Sequence, residues 1–313
     1  MRFSVRNCVK SDGWNVLPGG KRFSPGLSRR ALLCGAGALF LTHGVSRAAT
    51  TGGVIAMDWV SGQNLLALGI LPAAMPELEL YTSLVVEPAL PPATAELGLR
   101  SEPNLELVDH LRPTLLVQSA DEGPVNARLQ AIAPVYLFDQ RLSSLPNRLD
   151  GGRKALSELA TRLGATTQFD RFQAGFEVEI EQAKKRLAAY DGRPLIVATV
   201  IDGRRLLVFG RNSLFQNVLD LLGIENAWDG HASLYGHTTV AADRLALYPE
   251  ARLLCVGDSS GDRLDRLLAA PVIKSLPFVR EGRVTRVADV LFYGGLPPAY
   301  RFARLVSTAL AAG

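Results

Sequence analysis

Cysteine is scarce in this sequence, and its placement removes most of its chemistry. The 313 residues hold three, Cys8, Cys34 and Cys255. They form no CxxC pair, so a cysteine-held zinc or iron–sulfur centre is excluded. Histidine is as sparse: His43, His110, His231 and His237. His231 and His237 are too far apart for one helical turn and sit in a Gly-containing stretch, so they lack metal-ligand spacing. No GxxxxGK[ST] and no GxGxxG occurs, which removes the usual phosphate and dinucleotide loops. There are no internal repeats, and after residue 48 there is no long apolar run.

The first residues carry an address rather than a fold. Ser28-Arg29-Arg30-Ala31-Leu32-Leu33 opens an apolar run to Leu41 that is too short to span a bilayer. Ser46-Arg47-Ala48 supplies small residues for cleavage. Residues 1–48 therefore read as a twin-arginine leader, which exports an already folded protein to the periplasm. Cys34 lies inside the apolar run behind bulky Leu33, the wrong place for lipid attachment. Removing eight basic residues and one aspartate leaves 26 Lys or Arg against 29 Asp or Glu, a net charge of −3. The basic balance belongs to the leader, and no nucleic-acid footprint remains. Only Cys255 stays, in the apolar run Leu253-Leu254-Cys255-Val256, as an inert buried thiol.

The remaining 265 residues alternate strand and helix patterns. Val54–Met57, Thr114–Val117 and Pro134–Phe138 read as buried strands. Helices are expected at 61–68, at 126–132 and after Gly98-Leu99-Arg100, where Ser101 would cap the helix that Arg112-Pro113 ends. Pro72 to Pro92 reads as an irregular surface segment. From Gln168 to Tyr190, Phe169, Phe172, Phe176, Ile180, Ala183 and Leu187 recur every three or four residues. This long helix would span about 35 Å. A second α/β pattern follows, with strands at 195–200, 206–209, 252–256 and 283–287. Its helices run from an Asn212 cap to Leu222, from Asp262 to Ala269 and from Pro298 to Leu310. The expected fold is α/β, two parallel-sheet lobes joined by one long helix: lobe 49–167, helix 168–190, lobe 191–313. Ligands of such pairs lie in the cleft between lobes, at strand ends.

Gly257-Asp258-Ser259-Ser260-Gly261 matches a nucleophile elbow, which would make a secreted serine hydrolase. That elbow needs a later histidine, and the last is His237. A Gly/Ser turn is the better account. What remains is a set of cleft candidates at strand ends or in Gly-rich loops: Trp59, Arg100, Glu122, Trp228, Tyr235, His237, Phe292 and Tyr293.

Four stretches, read in order, resemble a known family. They are Gly98-Leu99-Arg100-Ser101-Glu102-Pro103-Asn104-Leu105-Glu106-Leu107, Leu207-Val208-Phe209-Gly210-Arg211-Asn212-Ser213-Leu214-Phe215-Gln216, Gly223-Ile224-Glu225-Asn226-Ala227-Trp228 and Leu291-Phe292-Tyr293-Gly294. Together they are similar to the periplasmic ferric-hydroxamate siderophore-binding proteins of ABC importers. The resemblance implies a periplasmic-binding-protein fold of the helical-backbone class, with a shallow cleft and little closure. It implies a monomeric receptor that captures iron(III)-hydroxamate siderophores and delivers them to an inner-membrane ABC permease. The iron arrives chelated, so no cofactor, protein metal ligand or catalytic residue is called for.

The resemblance also assigns residues. Arg100 falls on the arginine that hydrogen-bonds hydroxamate oxygens, a role that suits a planar, permanently charged donor fork. Trp59, Tyr235 and Tyr293, with Phe292 beside them, fall on the aromatic wall. Glu122 stands in place of a tyrosine that supports the arginine, Leu84 and Leu291 in place of tryptophans, and His237 in place of a serine. Asp243 matches the second-lobe acid that docks the permease. Ala127 stands at the first-lobe docking position, where Glu122 or Asp121 could substitute. These departures leave the siderophore open, and the same fold also serves receptors for haem, corrinoids and citrate-type siderophores.

Overall fold

The computed structural model describes residues 52–140, 147–258 and 261–311. The expected leader, residues 1–48, and Ser259 lie outside them. The first sheet is parallel, in the order β1 (Val54–Ala56), β6 (Leu115–Ser119), β7 (Val135–Phe138). At the end of β1 stands Asp58, the N-cap of α1 (Trp59–Ala67). Its carboxylate accepts the Ser61 backbone N–H at 2.8 Å, the Ser61 hydroxyl at 2.8 Å and the Ser119 N–H at 2.6 Å. One buried side chain thus starts α1 and ties it to the end of β6. Trp59 is thereby held at the sheet's carboxyl edge.

Pro72 to Pro92 is not an irregular surface segment. It contains β2 (Ala74–Met75), a helical turn over Leu78–Leu80 and a π-turn over Tyr81–Val85. Met75, Tyr81 and Val85 are fully buried. Prolines break hydrophobic periodicity without removing the apolar residues that anchor a segment, so the pattern underestimated its burial. β2 pairs in parallel with β3 (Ala95–Glu96). Next comes a tight hairpin, β4 (Gly98–Leu99) against β5 (Glu102–Pro103), with Arg100-Ser101 as its turn. Ser101 therefore does not cap the next helix. Asn104 does, accepting the Leu107 N–H at 3.0 Å at the start of α2 (Leu105–Leu111). Arg112, in left-handed backbone at φ 47°, closes it.

After α3 (Ala127–Ile132) and β7 comes α4 (Arg148–Arg162), a helix absent from the sequence reading although Asn147 caps it. The long helix is α5 (Thr166–Arg186), extended by a 3₁₀ turn at Leu187–Ala189. Its 21 residues span about 32 Å.

The second sheet is mixed. β8 (Leu195–Val200), β9 (Arg205–Phe209), β10 (His237–Ala241), β11 (Arg252–Val256) and β12 (Val284–Val287) lie in the order β10-β9-β8-β11-β12. β8, β11 and β12 are parallel, while β9 and β10 extend the sheet antiparallel. The Asp202 carboxylate makes the tight β8–β9 turn by accepting the Arg204 and Arg205 N–H groups, each at 2.9 Å. His237 is thus the first residue of a strand, not part of a loop. Ser213, rather than Asn212, caps α6 (Leu214–Leu222). Asp262–Ala269 forms α7, and α8 (Leu296–Ala311) closes the chain.

Strand alternation divides three cores. Ala56, Leu115 and Val117 of the first sheet and Leu195, Val197, Leu254 and Val256 of the second face one common core. Helices α1, α4, α5, α6 and α8 fill it, through Leu65, Leu156, Phe176, Phe215 and Phe302 among others. The opposite faces bury Ile55 and Leu116 in one cluster and Ile196, Val208 and Cys255 in another. Burial pushes the Cys255 thiol up to about 11, which makes it the inert thiol expected.

Backbone contacts bring the two sheets' ends together. A Cβ on Gly152 of α4 would lie 2.2 Å from the Gly295 Cα, so the chains pass where only hydrogen fits. Gly152→Ala should cost about 1–3 kcal/mol by overpacking, measurable as a thermal midpoint lowered by about 2–4 °C per kcal/mol. A second expectation concerns Asp58. Burial outweighs its hydrogen bonds and raises its carboxyl to about 6. Between the ordinary value of 3.8 and about 6 the folded state then binds more protons than the unfolded one, so this group stabilises the fold less as pH rises. The stability difference between wild type and Asp58→Asn should widen in favour of wild type from pH 7 to pH 4, followed by thermal melts.

Candidate ligand-binding cleft

Arg100 occupies the tip of the β4–β5 hairpin, and four groups fix its guanidinium. Its Cζ lies 4.1 Å from the centroid of the Trp59 ring, a cation–π contact. Glu77 clamps it from one side: Arg100 Nε donates to one carboxylate oxygen at 2.7 Å and the backbone N–H to the other at 3.3 Å. Glu122 accepts from Nη1 at 3.0 Å. The fourth is the Tyr293 phenol. Burial raises its pKa, opposed by the nearby charge of Arg100.

Each of these groups is locally anchored. Glu77 sits in left-handed backbone at φ 54°. The Glu96 carboxylate holds that turn by accepting the N–H groups of Glu77, Leu78 and Gly98, each at 2.8 Å. Glu122 ends a 3₁₀ turn, Ala120–Glu122, that Ser119 caps. Tyr293 precedes Gly294, whose N–H donates to Gln140 Oε1 at 2.8 Å and whose carbonyl accepts from Asn64 Nδ2 at 2.9 Å. First-lobe side chains therefore position a tyrosine that follows the second sheet.

An aromatic series continues from Tyr293. Its ring meets Phe292 edge-on at 5.1 Å, Phe292 meets His237 at 5.3 Å, and His237 stacks with Tyr235 at 6.3 Å. Tyr235 is 64% exposed, so this end of the wall is open to solvent. Burial, and then the charge of Arg148, hold His237 below the usual imidazole range, so the ring is neutral near pH 7.

The structure thus brings Trp59, Arg100, Glu122, Tyr235, His237, Phe292 and Tyr293 into one connected array. Three candidates stand differently. Trp228 is buried in the core behind the second sheet, tilted against Tyr248. Leu291 is buried in the common core and supports the wall from behind. Leu84 is 40% exposed on the π-turn. Asp243 is exposed on a 3₁₀ turn, Ala242–Leu247, just after β10. Ala127 is exposed at the start of α3. The two acids expected to stand in for it are engaged: Glu122 by Arg100, and Asp121 by Gln140 Nε2 at 2.9 Å.

Arg148 was missed. It is the first residue of α4, yet its Nε donates to the Asn212 carbonyl at 2.7 Å and its Nη2 to the Leu234 carbonyl. It therefore holds the loop that presents Tyr235. The available signal was a basic residue at a helix N-terminus, where the helix dipole disfavours it and another use must compensate.

A Trp ring, a Tyr phenol and a guanidinium converge where apolar faces adjoin a charged donor fork. Such a set can bind a rounded ligand that is apolar outside and carries anionic oxygens. It contains no nucleophile–base pair.

Residues 54–290 match the model of a periplasmic binding protein family. The chain is 40% identical over 257 residues to the iron(3+)-hydroxamate-binding protein FhuD of Escherichia coli (strain K12), covering 82% of this chain and 86% of that one. The fold is similar to that of a Vibrio cholerae FhuD bound to Fe3+-Desferal, at a TM-score of 0.77 and 24% identity, over 83% of this chain and 98% of that one. It is similar also to FhuD2 of Staphylococcus aureus with bound ferrioxamine B, at a TM-score of 0.65 and 16% identity, with coverage of 83% and 98%. The chain belongs to the periplasmic binding proteins, substrate-binding proteins rather than enzymes, alongside the iron(3+)-hydroxamate-binding protein of E. coli.

Proposed function

We propose that this protein captures iron(III)-hydroxamate siderophores in the cleft at Arg100 and delivers them to an inner-membrane ABC permease. The observation that carries this reading is the guanidinium of Arg100 lying on Trp59 beside the Tyr293 phenol. Hydroxamate oxygens around ferric ion are anionic and sit at the surface of an otherwise apolar chelate. A fixed donor fork meets them, and aromatic faces cover the rest. The E. coli relative, named for iron(3+)-hydroxamate binding, supports the ligand class. In this reading the twin-arginine leader exports the folded chain to the periplasm, Asp243 contributes to docking, and the receptor works as a monomer. Tyr235, His237, Leu84 and Phe292 border the ligand, while Leu291 backs them. Haem, a corrinoid or a citrate-type siderophore is less well matched, because two glutamates already oppose the charge of Arg100. The hydrolase reading at Ser259 has nothing in the family to favour it.

The test is a titration of the purified protein with ferrichrome, ferrioxamine B, a ferric citrate-hydroxamate and haem, followed by tryptophan quenching. Trp59 lies within the site and serves as reporter. Saturable quenching by a ferric hydroxamate is expected, and no response to any hydroxamate overturns the reading. Arg100→Ala should weaken that binding by about 2 kcal/mol, or about thirtyfold, the cost of a charge-assisted hydrogen bond. An affinity unchanged within error would remove Arg100 as the anchor.

A further inference from the structure

The charge around Arg100 does not balance. Its guanidinium meets two carboxylates, Glu77 and Glu122, so the three groups sum to −1. Asp58 lies behind them, close enough for its charge to interact with that of Glu122. The two glutamates are not equivalent. Glu77 spends both oxygens on Arg100 and has a side chain only 13% exposed. Glu122 spends one oxygen, Oε1, on Nη1, and its side chain is 32% exposed. Among the described residues its other oxygen has no hydrogen-bond partner.

A cavity of about 420 Å³ opens on this side of the arginine. Glu77, Glu122, Gln118 and Asn126 supply its polar wall, and Met57 and Leu129 an apolar one. Trp59 and Tyr293 are not among its lining residues, so Arg100 stands between the aromatic wall and this cavity. The volume is at the low end of the roughly 300–1,000 Å³ typical of ligand pockets. It suits an arm of a ligand rather than a whole chelate. Apolar walls suit methylene groups, and a carboxylate with a spare oxygen suits an ammonium.

We propose that Glu122 makes the cleft selective for ferric hydroxamates that carry an ammonium group on a flexible arm, with the arm seated in this cavity. The inference rests on the reading of Arg100 as a siderophore anchor. A ferric ion bound by three hydroxamates is neutral as a unit, so such a core gains nothing from surplus negative charge. A pendant ammonium restores neutrality: it pairs with Glu122 while the core meets Arg100 and the aromatic wall. Ligands with free carboxylates are repelled by the same charge. The Arg148 guanidinium does not cancel the effect, since it is held by the Asn212 and Leu234 carbonyls beside Tyr235, at the other end of the wall.

The test compares ferrioxamine B, which ends in a primary amine, with its N-acetyl derivative, which keeps the same chelate and loses the charge. Wild type should bind the amine about tenfold more tightly, the lower range for one charge-assisted contact. The gap should shrink at high ionic strength. In Glu122→Gln, with its fold checked by thermal melting, the two ligands should bind alike, chiefly because the amine has lost affinity. Equal affinities in wild type, or a gap that persists in Glu122→Gln, overturn the inference while leaving the siderophore reading intact. If neither chelate binds wild type, the siderophore reading itself falls.

Discussion

The cleft depends on one backbone contact. Gly152 of α4 and Gly295 before α8 approach so closely that a methyl group on either would collide with the other's main chain. Gly295 also takes positive φ, at 82°, as does Gly294 at 111°. Two requirements, no side chain and left-handed backbone, meet at one place, and only glycine satisfies both. Around it the Gly294 peptide is satisfied by Gln140 and Asn64 rather than by its own sheet. Tyr293 consequently reaches Arg100 as a member of the first lobe's site although it follows the second sheet. The wall and the anchor are parts of one rigid arrangement.

The same constraint limits hinge motion. Further locks cross between the lobes: Glu87 pairs with Arg301 and Arg304 of α8, and within the first lobe its carbonyl is held by Gln63 of α1 at 2.7 Å. Arg301 is almost fully buried, so separating that pair would strand a charge. The common core runs through both sheets by way of five helices. Closure about a hinge would have to shear all of these at once. A receptor built this way recognises its ligand with a preformed surface, which spares the cost of ordering.

Much of this was legible in the sequence, and the failures are instructive. Strands came through because each is a short apolar run bounded by turn residues, as at Leu195–Val200 and Arg252–Val256. The long helix came through because its apolar spacing persists over 21 residues. Arg100 and its aromatic neighbours stood out first as candidates at strand ends, and motif resemblance then gave them roles, because spacing alone cannot tell a cleft arginine from a solvated one. What failed was set by long-range partners. Helix α4 has a cap and apolar spacing, but it opens on an arginine whose partners lie 64 and 86 residues away. The segment around Tyr81 looked like surface because its prolines were visible and its burial partners were not. Trp228 looked like a cleft residue until the sheet placed it on the far face.

The glutamates bear on how firmly such a site can hold its cargo. An isolated guanidinium would meet a ligand oxygen at full strength, but here it is already hydrogen-bonded by Glu77 and Glu122. Those bonds use only two of the guanidinium's five N–H donors, so a ligand oxygen can be met by the remaining ones, but against the negative charge of two neighbouring carboxylates. Glu77, the less exposed and doubly bonded partner, is the costlier to move. Glu122 is the partner that yields or that binds in turn. Preorganisation by Glu77 spares Arg100 the entropy of ordering a long side chain, while competition from Glu122 keeps the contact exchangeable. For a protein that must surrender its ligand to a permease, an anchor held in place yet partly satisfied is a workable compromise between capture and release.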